Sequence, residues 1–122
     1  MNECTKILIV ETDKIIRAGI SAYISEKRPN WLVHEAENGY EAMEVADQES
    51  ISFFTIDYYL PTISGLDLII ELKRMHTTGK FILFTSPLPD HLKTEIEVLG
   101  VKRLDKPISE DSIVSMLKYF ES

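Results

Sequence analysis

The sequence predicts an α/β fold in which helices cover both faces of a parallel sheet. Five apolar stretches of strand length alternate with stretches in which apolar residues recur at helical spacing. Three of the strand stretches consist almost wholly of Ile, Leu, Val and Phe, which is typical of strands buried on both faces. No internal repeat and no linker rich in Pro, Gly or Ser divides the 122 residues, so we expect a single domain over 1–122.

The elements follow one another in a regular order. The predicted strands cover 6–10, 31–36, 52–56, 81–85 and 101–104. Each is followed by an apolar helical stripe, and the five stripes are Ile16, Ile20, Tyr23 and Ile24; Ala42, Val45 and Ala46; Leu66, Ile69 and Ile70; Leu92, Ile96 and Leu99; and Ile113, Met116, Leu117 and Phe120. We expect the first helix to end before Pro29 and the last to begin after Ser109, a good N-cap.

Composition excludes several classes of function. Thirteen basic residues against 20 acidic ones give a net charge of −7, which opposes binding to nucleic acid. A single cysteine, Cys4, cannot form a disulfide within the chain, and no apolar run approaches the ~20 residues that cross a bilayer. We therefore expect a cytoplasmic chain with no direct contact with nucleic acid or membrane.

Chemically active side chains gather where the strands end. They are Glu11, Thr12 and Asp13 after the first strand, Asp57 after the third, Thr85 and Ser86 at the end of the fourth, and Asp105, Lys106 and Pro107 after the fifth. Because ligands of open parallel sheets bind at the carboxyl ends of the strands, we expect these side chains to lie together. Carboxylates can share a divalent cation, a hydroxyl can bind a phosphoryl oxygen, and a lysine can neutralise its charge. The pattern predicts a phosphorylated site.

The same segments resemble a known family. The residues KILIVE at 6–11, IDYYLP at 56–61 followed by Gly65, FTS at 84–86, and Lys106 with Pro107 are similar to receiver domains of two-component response regulators. The resemblance covers almost the whole chain. It implies a doubly wound, flavodoxin-like sheet of five parallel strands in the order 2-1-3-4-5.

The resemblance also implies roles for single residues. Asp57 is expected to accept a phosphoryl group from a sensor histidine kinase or a phosphotransfer protein, while Thr85 and Lys106 respond to the phosphate. The change is then expected to reach the face formed by the fourth helix, the fifth strand and the fifth helix. Pro107 matches a proline that often follows a cis peptide in the family. Such a domain is a signalling module and at most catalyses its own phosphorylation and dephosphorylation.

A magnesium ion belongs to the implied site, but one ligand is missing. Glu11, Asp57 and the main-chain carbonyl of Tyr59 match the family's metal ligands, whereas Thr12 stands where a second acid is usual. A hydroxyl is a poor ligand for Mg²⁺, so we expect weak binding. Asp13 has two readings that the sequence leaves open, because it could replace the missing acid or cap the first helix.

The fifth strand departs from the family as well. Arg103 occupies the position of the usual aromatic switch residue, and the segment from Gly100 to the lysine is one residue shorter than usual. Asp105 could draw Lys106 away from the phosphate by pairing with it, although neighbours on a strand point apart.

Two rival interpretations come from other classes of protein. A pseudo-receiver would keep the fold and act by binding or as a homodimer without phosphate, which Thr12 and the missing aromatic favour. A flavin-binding electron carrier is disfavoured because residues 11–14 lack the glycines of a phosphate cradle. The histidines at 34, 76 and 91 fit no zinc spacing, and no glycine-rich nucleotide loop is present.

Overall fold

The computed structural model describes residues 4–75 and 78–122, and the prediction about His76 lies outside them. Within these residues five strands alternate with five helices. The elements are β1 Lys6–Val10, α1 Lys14–Lys27, β2 Leu32–Ala36, α2 Gly39–Gln48, β3 Phe53–Asp57, α3 Gly65–Arg74, β4 Lys80–Thr85, α4 Asp90–Val98, β5 Lys102–Asp105 and α5 Glu110–Phe120. The predicted α/β class is confirmed.

The strands form one parallel sheet in the order β2-β1-β3-β4-β5. This is the order that the family resemblance implied. The chain leaves β1 toward β2 on one side and returns to β3 on the other, so the direction of winding changes between β1 and β3. A crevice at the carboxyl ends of the strands is expected at such a point, and the candidate site lies there.

Two apolar layers hold the helices to the sheet. On one face, side chains of the central strands such as Leu8, Ile56 and Leu83 pack with residues of α2, α3 and α4. On the other face, Ile9 and Phe84 pack with residues of α1 and α5. The predicted central strands β1, β3 and β4 are buried along almost their whole length, as their apolar sequences required.

Several boundaries differ from the prediction by one residue. β3 extends through Asp57, so the aspartate is the last residue of the strand and does not follow it. β4 begins at Lys80, whose N–H donates to the Ser52 carbonyl at 3.0 Å, while Val101 precedes β5 because its N–H bonds back to Ile96 in α4. The predicted N-cap Ser109 is confirmed, since its hydroxyl accepts from the Ser112 N–H.

Among the described residues, none of the helices combines the length and apolar character that crossing a bilayer requires.

Candidate functional site

Asp57 lies at the centre of the site because it ends the central strand β3. Its side chain is almost entirely buried, with 4% of the residue exposed. The chain turns sharply after it, and the Gly65 N–H closes the turn by donating to the Tyr58 carbonyl at 2.8 Å. A Cβ atom at position 65 would collide with the Asp57 carbonyl oxygen, so only glycine allows this close return.

Lys106 brings the positive charge that a buried carboxylate needs. Its Nζ lies 2.8 Å from Asp57 Oδ1, although the angles are not those of a hydrogen bond. The Lys106 N–H donates to the Thr85 carbonyl at 2.8 Å, which fixes the start of the loop after β5. The Lys106–Pro107 peptide is cis, as the resemblance implied, and the Tyr59 ring centroid lies 5.8 Å from Nζ. The predicted carboxylate and ammonium are therefore in contact.

Glu11 supplies a second buried carboxylate beside Asp57. It directly follows β1 and is 4% exposed. Oε2 accepts from the Asp13 N–H at 3.1 Å, but Oε1 is buried without a hydrogen-bond partner. Burial raises the pKa of Glu11 above its usual range, and the neighbouring Asp57 charge raises it further. Two carboxyl groups and one ammonium thus share a poorly solvated space.

The side chains of Thr12 and Asp13 bind main-chain groups and not the space that Asp57 and Glu11 share. Thr12 Oγ1 donates to the Glu37 carbonyl at 3.0 Å and so ties the loop after β1 to the loop after β2. Asp13 Oδ1 accepts from the N–H groups of Ile15 and Ile16 at 2.9 and 3.1 Å, and it thereby caps α1. Of the two readings of Asp13, the structure shows the helix cap. Metal binding by Asp13 stays a prediction.

Thr85 lies close to the site without contacting the aspartate. It is fully buried, and its Oγ1 has no hydrogen-bond partner. Asp57 is in register with Phe84, the preceding residue of β4, and side chains alternate between the two faces of a sheet. Asp57 therefore points toward α1 and α5, whereas Thr85 points toward the opposite layer. The structure brings together Asp57, Glu11 and Lys106, and it leaves the Thr85 hydroxyl without a hydrogen-bond partner.

Arg103 and Asp105 pair with each other on β5. Arg103 Nη1 donates to Asp105 Oδ1 at 2.7 Å. Asp105 does not pair with Lys106 in this structure, since each of the two takes a different partner. Arg103 lies at the position where the family usually has an aromatic residue, and it forms an ion pair there.

Sequence reasoning missed Arg17. Its Nη1 donates to the Glu11 carbonyl oxygen at 2.7 Å and its Nε donates to Glu35 Oε1 at 3.0 Å. Arg17 thus holds the main chain of Glu11 against β2. The partner is a carbonyl, which every residue carries, so the only signal in the sequence was an arginine one turn after the helix cap.

Two acidic residues supply the oxygen atoms that a divalent cation could use at this site. The orphaned Glu11 Oε1 lies in the same space as the Asp57 carboxylate, and oxygen atoms are the ligands that Mg²⁺ prefers. Within residues 4–75 and 78–122, no group of three or more His, Cys, Asp or Glu residues could hold a metal ion. Two carboxylates and a carbonyl are enough for Mg²⁺ when several water ligands are kept.

A groove opens beside this site between α1 and α5. Its walls are mainly apolar and include Ile16, Ile20, Tyr23 and Ile113, and Lys106 also lines it. Ile15, at the start of α1, is 84% exposed. The buried carboxylates are therefore next to an apolar surface that a partner can contact.

Comparison with known proteins identifies relatives along the whole domain. The family model described as response regulator receiver domain matches residues 7–118. The transcriptional regulatory protein YdfI of Bacillus subtilis is 35% identical over 97 residues, which cover 80% of this chain and 45% of that protein. The transcriptional regulatory protein SrrA of Staphylococcus aureus is 29% identical over 114 residues, or 93% of this chain and 46% of that protein. The chain spans less than half the length of these relatives.

Solved structures agree in fold. The chemotaxis protein CheY4 of Vibrio cholerae has a TM-score of 0.86 at 19% identity, with 97% of this chain and 99% of that chain covered. The N-terminal domain of an uncharacterized protein from Wolinella succinogenes has a TM-score of 0.84 at 26% identity, with 96% and 94% covered.

Proposed function

Because the chain belongs to the response regulator receiver domain family, we propose that Asp57 accepts a phosphoryl group from a phosphohistidine. The donor is a sensor histidine kinase or a phosphotransfer protein. The observation that carries the proposal is the buried Asp57 carboxylate with the Lys106 ammonium 2.8 Å away. A cation held this close can stabilise an acyl phosphate. A buried ion pair contributes little net stability to a fold, so a functional role explains its presence at the end of a central strand better than a structural one.

The reaction needs a nucleophile and compensation for charge. An Asp57 carboxylate oxygen attacks phosphorus as the bond between phosphorus and the donor's histidine nitrogen breaks. The products are an aspartyl phosphate and, once the ring has taken up a proton from water, a free imidazole. The Lys106 ammonium, which already contacts the Asp57 carboxylate, then pairs with a phosphoryl oxygen. The Thr85 hydroxyl has no other partner and is available to donate to a second oxygen once the loop after β4 moves.

Magnesium would add to this charge compensation. When bound, it neutralises phosphoryl oxygens during the transfer, and Glu11, Asp57 and the Tyr59 carbonyl are the groups that would hold it. Thr12 donates to Glu37 and adds no charge to the site, so this chain is expected to bind Mg²⁺ more weakly than a receiver with two acids.

The groove between α1 and α5 suits the donor protein. A phosphohistidine must come within bonding distance of Asp57, so its carrier has to cover the surface next to Lys106. That surface is mainly apolar and includes Ile16, and the neighbouring Ile15 at the start of α1 is exposed. An apolar helix face on the donor is the proposed partner. A cytoplasmic location is proposed as well, because a phosphohistidine donor is made from ATP.

Phosphorylation is proposed to act by shifting a conformational equilibrium. The new charge changes what Lys106 and Thr85 contact, and these residues adjoin the face formed by α4, β5 and α5. Receiver domains are signalling modules and not enzymes in the ordinary sense. Both curated relatives are named as transcriptional regulators and are much longer than this chain, so an output in transcription through another segment or protein is proposed.

A second candidate function is that of a pseudo-receiver. It is favoured by one observation, the use of Thr12 to tie two loops together where the family has a metal ligand. In this case the domain would act as a binding module or a homodimer without phosphate.

Phosphorylation with a small donor tests the first proposal against the second. The chain is incubated with acetyl phosphate and Mg²⁺, and its intact mass is measured. We expect the mass of one added phosphoryl group in the wild type and in the control Asp47→Asn, whose side chain is exposed on α2, but none in Asp57→Asn. An unmodified wild type, with either acetyl phosphate or a cognate kinase and with no response to Mg²⁺, would favour the pseudo-receiver.

A further inference from the structure

The two unusual residues of β5 form one unit. Arg103 and Asp105 are two positions apart on a strand, so their side chains lie on the same face of the sheet. Their charged groups meet at 2.7 Å. The register of β5 on β4 places Asp105 directly beside Thr85. An ion pair therefore stands next to the buried hydroxyl, on the same face.

Asp105 is a potential competitor for both groups that are to bind the phosphate. It precedes Lys106 in the chain, and it is the strand neighbour of Thr85, whose hydroxyl has no acceptor. A free carboxylate here can accept a hydrogen bond from the hydroxyl and attract the ammonium. Its negative charge also repels the phosphoryl group, which is negatively charged as well.

We propose that Arg103 is a positioning residue, which holds the Asp105 carboxylate away from Thr85 and Lys106. The Thr85 hydroxyl then stays without an acceptor, and the Lys106 ammonium stays on Asp57 until the phosphoryl group enters. The two departures from the family pattern then compensate each other. The inference rests on the proposed function only for the identity of the anion, since the competition among Asp105, Thr85 and Lys106 exists without phosphate. The side chains of Arg103 and Asp105 are 31% and 61% exposed, so their pair contributes little to stability and acts mainly by placing charge.

A set of matched substitutions tests this role. Arg103→Met is expected to slow labelling by acetyl phosphate about three- to tenfold, because an unpaired charge is left beside the site. Asp105→Asn in the same chain should restore the rate, and Arg103→Lys should keep most of it. Lys102→Met is the control, because it removes the same charge from an exposed neighbouring position on β5 that makes no ion pair with Asp105.

A second readout does not depend on phosphorylation. In the unphosphorylated chain, Arg103→Met should shift the NMR signals of the Lys106 Cε and the Thr85 methyl group, and Asp105→Asn should reverse the shift. If the wild type takes no phosphoryl group, the proposed function fails and these shifts alone decide the inference. The inference is overturned if Arg103→Met changes neither signal, if Lys102→Met changes both equally, or if a slowed reaction is not restored by Asp105→Asn.

Discussion

Charge balance around Asp57 depends on three side chains, because the buried carboxyl groups of Asp57 and Glu11 lie beside the Lys106 ammonium. Asp57, Glu11 and Lys106 were predicted because each lies at the exit of a predicted strand. The sequence could not decide between two roles of Asp13, because a helix cap and a metal ligand can both be a carboxylate at this position. Arg17 escaped because it binds a main-chain carbonyl, which leaves no pattern in the sequence.

Glu11→Gln tests the burial of an ionisable group in this space. Since the pKa of Glu11 is raised in the folded chain, folding favours its protonated form, and stability is lost as pH rises through that raised pKa. The glutamine variant avoids this loss. We expect it to be more stable than the wild type at neutral pH, with the difference vanishing at acidic pH.

Thermal unfolding between acidic and neutral pH measures this difference, and Glu44→Gln, exposed on α2, is the control. The same profile for wild type and Glu11→Gln would show that the Glu11 carboxylate is well solvated or paired.

Thr12→Asp tests whether the missing acid limits metal binding. A second charged oxygen after β1 should raise Mg²⁺ affinity by roughly tenfold, the lower end of what a change in a metal site's surroundings produces. Titration followed by the amide NMR signals of Tyr58 and Gly65 measures it at the site. Trp31 is a poor reporter, because it packs on Phe53 at the other end of β3.

Thr12→Val is the control, since it removes the hydrogen bond to Glu37 without adding charge. Equal or weaker Mg²⁺ binding by Thr12→Asp would mean that loop geometry, and not the lost acid, sets the affinity.

The elements were predicted nearly to the residue because their ends carry strong local signals. The first helix ends shortly before Pro29, the last helix begins directly after Ser109, and apolar runs mark the central strands. Polar residues at strand ends caused the small differences. Lys80 and Asp57 belong to strands by their backbone hydrogen bonds, although their side chains interrupt the apolar pattern.

The start of α1 provides a test that separates the two roles of Asp13. Asp13→Ala should lower stability by about 1 kcal/mol, because the N–H groups of Ile15 and Ile16 lose their acceptor. Asp13→Asn keeps an accepting oxygen and should remain close to wild type in stability and in Mg²⁺ binding. Chemical denaturation and the titration above measure both. A large loss of Mg²⁺ affinity in Asp13→Asn would instead assign the carboxylate to the metal.

The turn after β3 depends on glycine for a reason of space. Gly65→Ala should lower stability by about 1–3 kcal/mol, since the added Cβ collides with the Asp57 carbonyl, which belongs to rigid backbone. Gly19→Ala is the matched control in α1, where nothing lies within 4 Å of the added atom. That variant should gain about 0.5–1 kcal/mol from helix propensity. Denaturant unfolding compares them, and an unharmed Gly65→Ala would show that the turn is flexible.

The sheet as a whole brings distant segments to one edge. Alternation along the chain predicted a parallel sheet from physical pattern alone, whereas the strand order came from the family resemblance. The predicted meeting of Asp57 with Lys106 is confirmed. A contact between the Thr85 hydroxyl and Asp57 is not seen, because the register places Thr85 one residue beyond the strand partner of Asp57 and so on the opposite face. Alternation could not reveal this, since register depends on how the strands pair.

Chemical trapping of the modified residue tests the central claim most directly. After reaction with acetyl phosphate and Mg²⁺, borohydride reduces an aspartyl phosphate to homoserine, and peptide mass spectrometry locates the change. We expect homoserine at position 57 in the wild type, and none when the phosphoryl donor is left out. Homoserine at another aspartate, such as position 13, or at none, would contradict it.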